Sequence, residues 1–209
     1  MTQIKICGLT NADDARAAVR LGADALGFIG VPGSPRYITP DAMRAATRGL
    51  PPFVTTVVVV RTPIDAVGYP ASTLQYYDGD SAAALLKRVR VFRIQNAASL
   101  DELREYRHTP DAVLLDAFHE TALGGAGVRF DWNLAVEAKH MMGDLPVILA
   151  GGLTPENVAD AVRMVRPYAV DVSSGVESEP RRKDHDKLRR FIAAVRDADR
   201  EISGDTGQE

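Results

Sequence analysis

The chain has 209 residues, of which 45% are hydrophobic and 25% charged, which is the size and composition of one globular domain with a sizeable core. Its formal net charge is -3 and its 25 lysines and arginines are scattered, so nucleic acid is not expected as the main partner. One cysteine excludes an internal disulfide framework, and no apolar stretch approaches the about 20 residues of a membrane-spanning helix, so we expect a cytoplasmic protein without a membrane partner.

From the N-terminus onwards, short apolar runs alternate with amphipathic stretches, which is typical of repeated βα units. Eight runs predict strands, most of them apolar on both faces as parallel strands are: residues 4–7, 25–29, 55–60, 74–77, 91–94, 112–116, 146–150 and 169–173. This pattern favours a closed (βα)₈ TIM barrel over an open doubly wound sheet, although periodicity alone does not separate the two. No G-x-G-x-x-G fingerprint follows the first strand, which weakens the dinucleotide-binding alternative.

Polar caps, some followed by proline, mark the predicted helix starts in chain order. These starts are Thr10 with Asp13, Thr39 with Pro40, Ser99 with Glu102, and Thr154 with Pro155. The last helix is predicted from about residue 184 to 198, with its apolar residues on one stripe. The polar residues 199–209 are expected to fray, and the whole chain, 1–209, is expected to form a single domain.

The connection between the third and fourth strands, residues 61–73, breaks the pattern. It contains Pro63, Gly68 and Pro70, which leave little room for a helix. A parallel crossover usually needs about a dozen residues or more, so this one is barely long enough. We therefore predict that the helix is missing or irregular here and that this flank of the barrel is thinly covered.

Polar residues at the C-terminal ends of the strands are the candidates for chemistry, because barrel enzymes place their active sites there. Cys7 ends the first strand. It is either a small buried hydrophobic residue or a base that Lys5, on the same face, activates as a thiolate. Asp116 ends the sixth strand and is either a salt-bridge partner or a functional carboxylate. The residues alone leave both alternatives open.

Three further features near strand ends have both a structural and a functional interpretation. Arg36, after the second strand, either clamps a substrate carboxylate or is an ordinary surface arginine. Asp171 is predicted to point into the barrel beside Lys5, where the two either form an internal ion pair or take part in function. The glycine-rich loop 124–127 is either a lid or a plain turn.

Two loops rich in glycine and serine follow the last two strands, Gly151-Gly152 and Ser173-Ser174-Gly175. Barrels often bind phosphate there through backbone N–H groups, where a bulky side chain would exclude the anion. The sequence therefore predicts a phosphorylated small-molecule substrate. The four histidines have no metal-ligand spacing and no G-x-S-x-G elbow is present, so we expect no metal ion, no other cofactor and no Ser-His-Asp catalysis.

Ten short segments, in order over nearly the whole chain, carry the most specific signal. They are KICGLT (5–10), GADALGF (22–28), SPRYI (34–38), LPPFV (50–54), LLD (114–116), GGAG (124–127), FDW (130–132), AGGL (150–153), AVDVSSGVE (169–177) and KD (183–184). Together they make the chain similar to the phosphoribosylanthranilate isomerase family of tryptophan biosynthesis.

The resemblance implies an Amadori rearrangement of N-(5-phosphoribosyl)anthranilate into a 1-deoxyribulose 5-phosphate derivative. In it, Asp116 resembles the general acid that opens the ribose ring, and Cys7 resembles the general base that removes the C2 proton. Arg36 and Asp171 resemble residues near the anthranilate end of the substrate. The loops that contain Gly151-Gly152 and Ser173-Ser174-Gly175 resemble the phosphate cradle. The chemistry needs no cofactor, because the iminium carbon itself acidifies the C2 proton.

The chain departs from the family pattern at the fourth strand, where the family usually shows Gln-Leu-His-Gly. Here residues 75–79 read Gln-Tyr-Tyr-Asp-Gly, and the stretch before them is shorter than usual. The departure is expected to change the local architecture more than the chemistry. A thinly covered flank also favours self-association, so we expect a monomer or a homodimer.

Two alternatives compete with the isomerase interpretation. A related phosphate-binding barrel with lyase or synthase chemistry, such as indoleglycerol-phosphate synthase, would need lysines at several strand ends, but only Lys5 lies on a predicted strand. A non-catalytic barrel that binds a sugar phosphate is the second alternative. The joint presence of Cys7, Arg36 and Asp116 argues against it.

Overall fold

The predicted eight parallel strands are present and close into a barrel. The computed structural model describes residues 1–79, 86–106, 110–118 and 130–205. The strands are β1 Gln3–Ile6, β2 Ala25–Ile29, β3 Thr55–Val60, β4 Thr73–Tyr76, β5 Lys87–Ile94, β6 Ala112–Ala117, β7 Val147–Leu149 and β8 Ala169–Val172. The barrel closes where β8 pairs with β1, with Asp171 opposite Lys5. The prediction of a (βα)₈ TIM barrel is confirmed.

Helices surround the barrel and cover most of its outer face. They are α1 Ala12–Leu21, α2 Pro40–Thr47, α3 Ser99–Glu105, α4 Trp132–Met142, α5 Val158–Val165 and α6 His185–Asp205. After β8 the chain forms a short 3₁₀ helix, Ser174–Val176, and a small hairpin of β9 Glu177–Glu179 and β10 Arg182–Lys183. Within the described ranges, no helix has the length and apolar character to cross a membrane.

Side chains alternate between the two faces of the barrel wall, and this alternation decides which residues reach the interior. On β1, Ile4 and Ile6 pack outward in the core beneath the helices, whereas Lys5 and Cys7 face the interior. On β6 the same alternation turns Asp116 inward. Polar side chains at the C-terminal ends of the strands therefore converge at one mouth of the barrel.

The flank between β3 and β4 is thinly covered, as predicted. The only helical turn there is a 3₁₀ helix, Pro63–Ala66. Ile64 and Val67 are each 75% exposed on this flank. The Tyr69 hydroxyl donates a hydrogen bond of 2.8 Å to the carbonyl oxygen of Ile38, which ties the short connection to the loop after β2.

Of the two helix caps predicted in the N-terminal half of the chain, one is correct and one is displaced. Thr39 caps α2 as expected. Thr10 does not cap α1, because the side chain of the next residue, Asn11, accepts from the backbone N–H of Asp14 at 2.8 Å. The Thr10 hydroxyl instead donates to the carbonyl oxygen of Arg181.

The two later predicted helix starts are displaced, although the Thr154 hydroxyl oxygen does accept from the backbone N–H of Glu156 at 3.2 Å. Ser99 is already the first residue of α3, and its Oγ accepts from the backbone N–H of Gln95 at 3.0 Å. The helix predicted at Thr154 begins at Val158 instead. The Asn157 side chain accepts from the Thr154 backbone N–H at 2.8 Å, which closes a turn ahead of the helix.

The predicted frayed tail from residue 199 is also wrong as far as the structure describes it, because α6 continues to Asp205. Asp199 is buried and accepts two hydrogen bonds from Thr2, one from the backbone N–H at 2.8 Å and one from the hydroxyl at 2.7 Å. Ile202 packs against the core one turn later. Residues 206–209 lie outside the described ranges.

Candidate active site

Three ionisable side chains predicted from the sequence meet at the C-terminal mouth of the barrel. Cys7 directly follows β1 and is 6% exposed, Asp116 lies in β6 and is 7% exposed, and Asp171 lies in β8 and is 8% exposed. Burial of this many ionisable groups is costly unless they are paired or shift their pKa. How each one is compensated therefore indicates what it can do.

Lys5 and Asp171 form the predicted internal ion pair, with 2.7 Å between Nζ and Oδ2. Burial opposes the charge on Lys5, but Asp171 and Cys7 together hold the pKa of the ammonium above its ordinary value. Lys5 also acts on Cys7 through its charge. It therefore serves both residues, and the two alternatives left open by the sequence do not exclude each other. Within the described ranges the other oxygen of Asp171, Oδ1, is buried without a hydrogen-bond partner.

Cys7 lies in a tightly fitted position beside Lys5. Burial raises the pKa of its thiol above the ordinary value, and the opposing charges of Lys5 and Lys183 do not compensate for this. The charge of Lys5 therefore favours the thiolate, but less than burial disfavours it. A Cβ at Gly27 would lie 2.8 Å from Sγ of Cys7 and 3.0 Å from Cε of Lys5, so only glycine leaves room for both side chains.

Asp116 carries the clearest functional signal of the site. Burial, and next the negative charge of Asp171, raise the pKa of this carboxyl group to about 7, while Lys5 and Arg93 oppose the shift. A group that holds its proton up to neutral pH can act as a general acid there. No ion pair of Asp116 is present in the part of the chain that the structure describes, so the salt-bridge alternative has no support there.

Two residues of the mouth, Tyr77 and Arg93, were not identified from the sequence. Tyr77 follows β4, is 6% exposed, and has its pKa raised well above the ordinary value by burial and then by Asp116 and Cys7. Arg93 is half-buried at the end of β5, in register with Asp116. Both lie at inward-facing positions near the C-terminal ends of their strands. The alternation of side chains along each strand predicts such positions.

Arg36 is not a surface arginine. It is buried and makes a two-pronged ion pair with Glu177, with Nε donating to Oε1 at 2.8 Å and Nη2 donating to Oε2 at 2.6 Å. Lys183 donates from Nζ to the same Oε1 at 2.9 Å. Burial raises the pKa of Glu177, but the hydrogen bond from Arg36 and the charge of Lys183 outweigh it, so that the carboxylate stays ionised. A Cβ at Gly8 would lie 2.6 Å from Cδ of Arg36, so Gly8 is required for this position.

The hairpin of β9 and β10 brings Glu177 and Lys183 to the site. Both residues belong to segments on which the family resemblance rests, but sequence reasoning gave them no role. Lys183 also donates to the carbonyl oxygen of Ser173 at 3.0 Å, which joins this network to the loop after β8. The fork of Arg36 is therefore fixed by a buried carboxylate that two cations share.

The loops after β7 and β8 pack closely against neighbouring backbone. Gly151 and Gly152 both have a positive φ, +85° and +63°. A Cβ at Gly151 would lie 2.5 Å from the backbone nitrogen of Ala117, and one at Gly175 would lie 1.9 Å from the carbonyl oxygen of Leu153. Glycine is needed at both places because backbone approaches backbone.

Ser173 and Ser174 line the second of these loops. The hydroxyl of Ser173 is buried and makes no hydrogen bond with any described residue. Ser174 is half-buried and begins the 3₁₀ helix that ends at Val176. An unengaged buried hydroxyl next to close-packed backbone is a suitable contact for an anionic oxygen.

The loop after β6 is described only as far as Phe118. Its ring lies beneath the Arg93 guanidinium, with 5.5 Å from the ring centroid to Cζ. The glycine-rich segment 124–127 lies outside the described residues, so its role as a lid or a turn stays a prediction. The residues that the structure describes contain no group of three or more His, Cys, Asp or Glu side chains that could hold a metal ion.

The model of the N-(5'-phosphoribosyl)anthranilate isomerase family matches residues 4–194. The chain belongs to this family. The prediction of the enzyme class, an isomerase of tryptophan biosynthesis, is thereby confirmed. The match spans the barrel from β1 into α6.

Relatives in sequence and in structure agree with this membership. The N-(5'-phosphoribosyl)anthranilate isomerase of Geobacter metallireducens is 48% identical over 202 residues, which cover 92% of this chain and 98% of the relative. The crystal structure of phosphoribosyl anthranilate isomerase from Thermotoga maritima has a TM-score of 0.84 and 34% identity, and the match covers 94% of this chain and 100% of that one. A second phosphoribosyl anthranilate isomerase structure, in complex with reduced 1-(o-carboxyphenylamino)-1-deoxyribulose 5-phosphate, has a TM-score of 0.81, 34% identity and the same coverage.

Proposed function

We propose that this isomerase converts N-(5-phosphoribosyl)anthranilate into 1-(2-carboxyphenylamino)-1-deoxyribulose 5-phosphate, with Asp116 as general acid and Cys7 as general base. The observation that carries the proposal is the pKa of Asp116, raised to about 7, in a mouth that it shares with the thiol of Cys7. Lys5 and Asp171 lie on the paired strands β1 and β8 of the same interior, and Cys7 directly follows β1.

In the first step, Asp116 gives its proton to the ring oxygen of the ribose. The bond between C1 and this oxygen breaks, and the nitrogen lone pair forms a C1=N iminium. An acid with a pKa near neutrality is suited to this role, because it holds the proton at working pH and releases it readily. The positive charge of Lys5 favours the resulting carboxylate.

In the second step, the Cys7 thiolate removes the proton from C2. The released electron pair forms a C1=C2 bond and neutralises the iminium nitrogen, which gives an enolamine. Tautomerisation then places a proton on C1 and takes one from the 2-hydroxyl, so the reaction consumes no oxidant, reductant or cofactor. The neighbouring ammonium of Lys5 stabilises the thiolate form that this step needs.

Substrate binding is proposed at the two ends of the mouth. The phosphate group would lie against Gly151, Gly152 and the Ser173–Gly175 loop, where backbone packs closely and the Ser173 hydroxyl is unengaged. The anthranilate end would lie at Arg36, whose Nη1 takes no part in the Glu177 pair, and at the free oxygen of Asp171. Binding energy from both ends would hold C1 and C2 between the acid and the base.

The protein is expected to be a monomer or a homodimer. Ile64 and Val67, exposed on the flank between β3 and β4, are a surface through which it could self-associate, and sedimentation of wild type against Ile64→Ser would test this. A cytoplasmic location stays a prediction from cysteine usage.

The test is turnover of N-(5-phosphoribosyl)anthranilate by wild type, Cys7→Ala and Asp116→Asn. We expect each substitution to lower kcat/KM by about 10²–10⁴-fold, the usual contribution of one acid or base. Asp41→Asn is the control, because it makes the same change on a side chain that is 98% exposed.

Near-normal turnover by Cys7→Ala or by Asp116→Asn would show that the residue roles are wrong. An inactive wild type would exclude the isomerase reaction. Two alternatives would then remain, the lyase or synthase barrel and the non-catalytic sugar-phosphate barrel. Binding of a sugar phosphate without any turnover would favour the non-catalytic barrel.

A further inference from the structure

Arg93 is a charged side chain of the barrel mouth that the proposed chemistry does not use. On β5, Phe92 and Ile94 pack outward in the core beneath the helices, and Val91 packs inside the barrel. Arg93 therefore points inward, at the C-terminal end of its strand. It pairs in register with Asp116 on β6, so the two side chains lie next to each other on the same inner face.

Arg93 differs from the other cations of this interior, because those have carboxylate partners. Lys5 pairs with Asp171, and Arg36 and Lys183 share Glu177. Among the described residues, no ion pair involves Arg93. The Phe118 ring beneath its guanidinium, 5.5 Å from Cζ, keeps the charge at the mouth without neutralising it.

Asp116 is surrounded by groups of both signs from four strands. The anion is Asp171 on β8, and the neutral acids are Cys7 and Tyr77 at the ends of β1 and β4. The two cations are Lys5 on β1 and Arg93 on β5. Burial and Asp171 favour the protonated form of Asp116. Lys5 is already committed to Asp171, so Arg93 is the uncommitted cation beside the acid.

We propose that Arg93 is a positioning residue for Asp116, whose unpaired guanidinium stabilises the carboxylate left after proton transfer. This rests on the proposed function, in which Asp116 is the general acid. Without Arg93, Asp116 would hold its proton more tightly and give it up less readily to the ring oxygen. Arg93 acts through Asp116 and needs no contact with the substrate.

The test is a titration of Asp116 that does not depend on turnover. The infrared band of its protonated carboxyl group is followed against pH as the difference between each protein and the same protein with Asp116→Asn. Arg93→Gln is expected to move the titration to higher pH by on the order of half a pKa unit or more. Arg93→Lys keeps the charge and is expected to titrate close to wild type.

Two further variants keep the test decisive. Phe118→Leu removes the ring beneath the guanidinium and is expected to shift the Asp116 titration upward by less than Arg93→Gln does. This variant tests the proposal even if Arg93→Gln does not fold. Arg88→Gln is the matched control, because Arg88 lies on the same strand but faces Asp111 at the other end of the barrel. It is expected to leave the titration unchanged.

An unchanged titration in folded Arg93→Gln and Phe118→Leu would overturn the proposal, and so would an equal shift in Arg88→Gln. These outcomes are separate from the fate of the proposed function. If Asp116→Asn is inactive and Arg93→Gln titrates like wild type, the role of Arg93 alone is refuted. If Asp116→Asn stays active, the general-acid role is refuted and the role of Arg93 with it.

Discussion

The two sides of the barrel mouth treat their buried charges in opposite ways. On the side of β1 and β8, charges are paired, with Lys5 against Asp171 and Arg36 against Glu177. On the side of β5 and β6, Asp116 and its neighbour Arg93 belong to no ion pair among the described residues. Paired charges fix geometry, whereas an unpaired buried carboxyl group changes its pKa. The first side therefore holds positions and the second side holds a labile proton.

The largest effect on stability is expected from breaking a pair on the β1 and β8 side. Asp171→Asn leaves the ammonium of Lys5 buried without its carboxylate, which typically costs about 3–5 kcal/mol. Urea unfolding at neutral pH measures this loss. Asp116→Asn is the matched control, since it removes a carboxyl group of similar burial from the other side of the mouth. A similar loss for both variants would remove the distinction between the two sides.

The second prediction concerns how stability depends on pH. The folded protein holds the Asp116 proton up to about pH 7, whereas the ordinary carboxyl value is 3.8. Between these values the folded state binds more protons than the unfolded state, so this residue contributes stability at low pH that is lost as pH rises through 7. Relative to Asp116→Asn, wild type is expected to lose about 2–3 kcal/mol of unfolding free energy from pH 5 to pH 8. A difference that does not vary with pH would contradict the raised pKa.

The third prediction addresses the pair that fixes Arg36. Glu177→Gln weakens the charge-assisted hydrogen bonds to Arg36 and Lys183, each of which is worth about 1.5–3 kcal/mol. Because Arg36 is proposed to hold the anthranilate carboxylate, KM is expected to rise about tenfold or more, with a smaller change in kcat. Glu179→Gln, an exposed residue of the same hairpin, is the control. An unchanged KM in folded Glu177→Gln would show that Glu177 does not position Arg36 for binding.

The fold was largely predictable because each strand carries its own signal. Apolar runs covered on both faces identified all eight strands, and Pro63, Gly68 and Pro70 correctly predicted the missing helix. The errors came from partners that local patterns do not show. The tail prediction failed because Asp199 bonds to Thr2, at the other end of the chain. The helix predicted at Thr154 begins only at Val158, because a turn closed by the Asn157 side chain precedes it.

The candidate site was predictable where a strand end and an inward position coincide. Cys7, Asp116 and Asp171 satisfy both conditions, and so does Arg93, which was overlooked. The pairing of Arg36 with Glu177 was out of reach, because the two residues are 141 positions apart and meet only through the hairpin after β8. The direction of the pKa shift of Cys7, at which burial outweighs the charge of Lys5, could not be predicted either, because it depends on the packed structure.

Activity depends on the protonation states of both the acid and the base, which lie on the two sides of the mouth. Cys7 acts as a base only when ionised, and Asp116 acts as an acid only when protonated. Burial raises the pKa of Cys7 above its ordinary value, whereas the pKa of Asp116 is about 7. When the pair holds one proton, the proton is therefore mostly on Cys7. The active form, with Asp116 protonated and Cys7 ionised, is the minor species. The apparent pKa values of the profile then belong to the pair.

The pH dependence of kcat/KM tests this division of roles most directly. We predict a bell-shaped profile for wild type, with an acid limb near pH 7 and an alkaline limb above the ordinary thiol range, and no limb near pH 7 in the residual activity of Asp116→Asn. A wild-type kcat/KM that is level through pH 7, or the same acid limb in Asp116→Asn, would contradict the account.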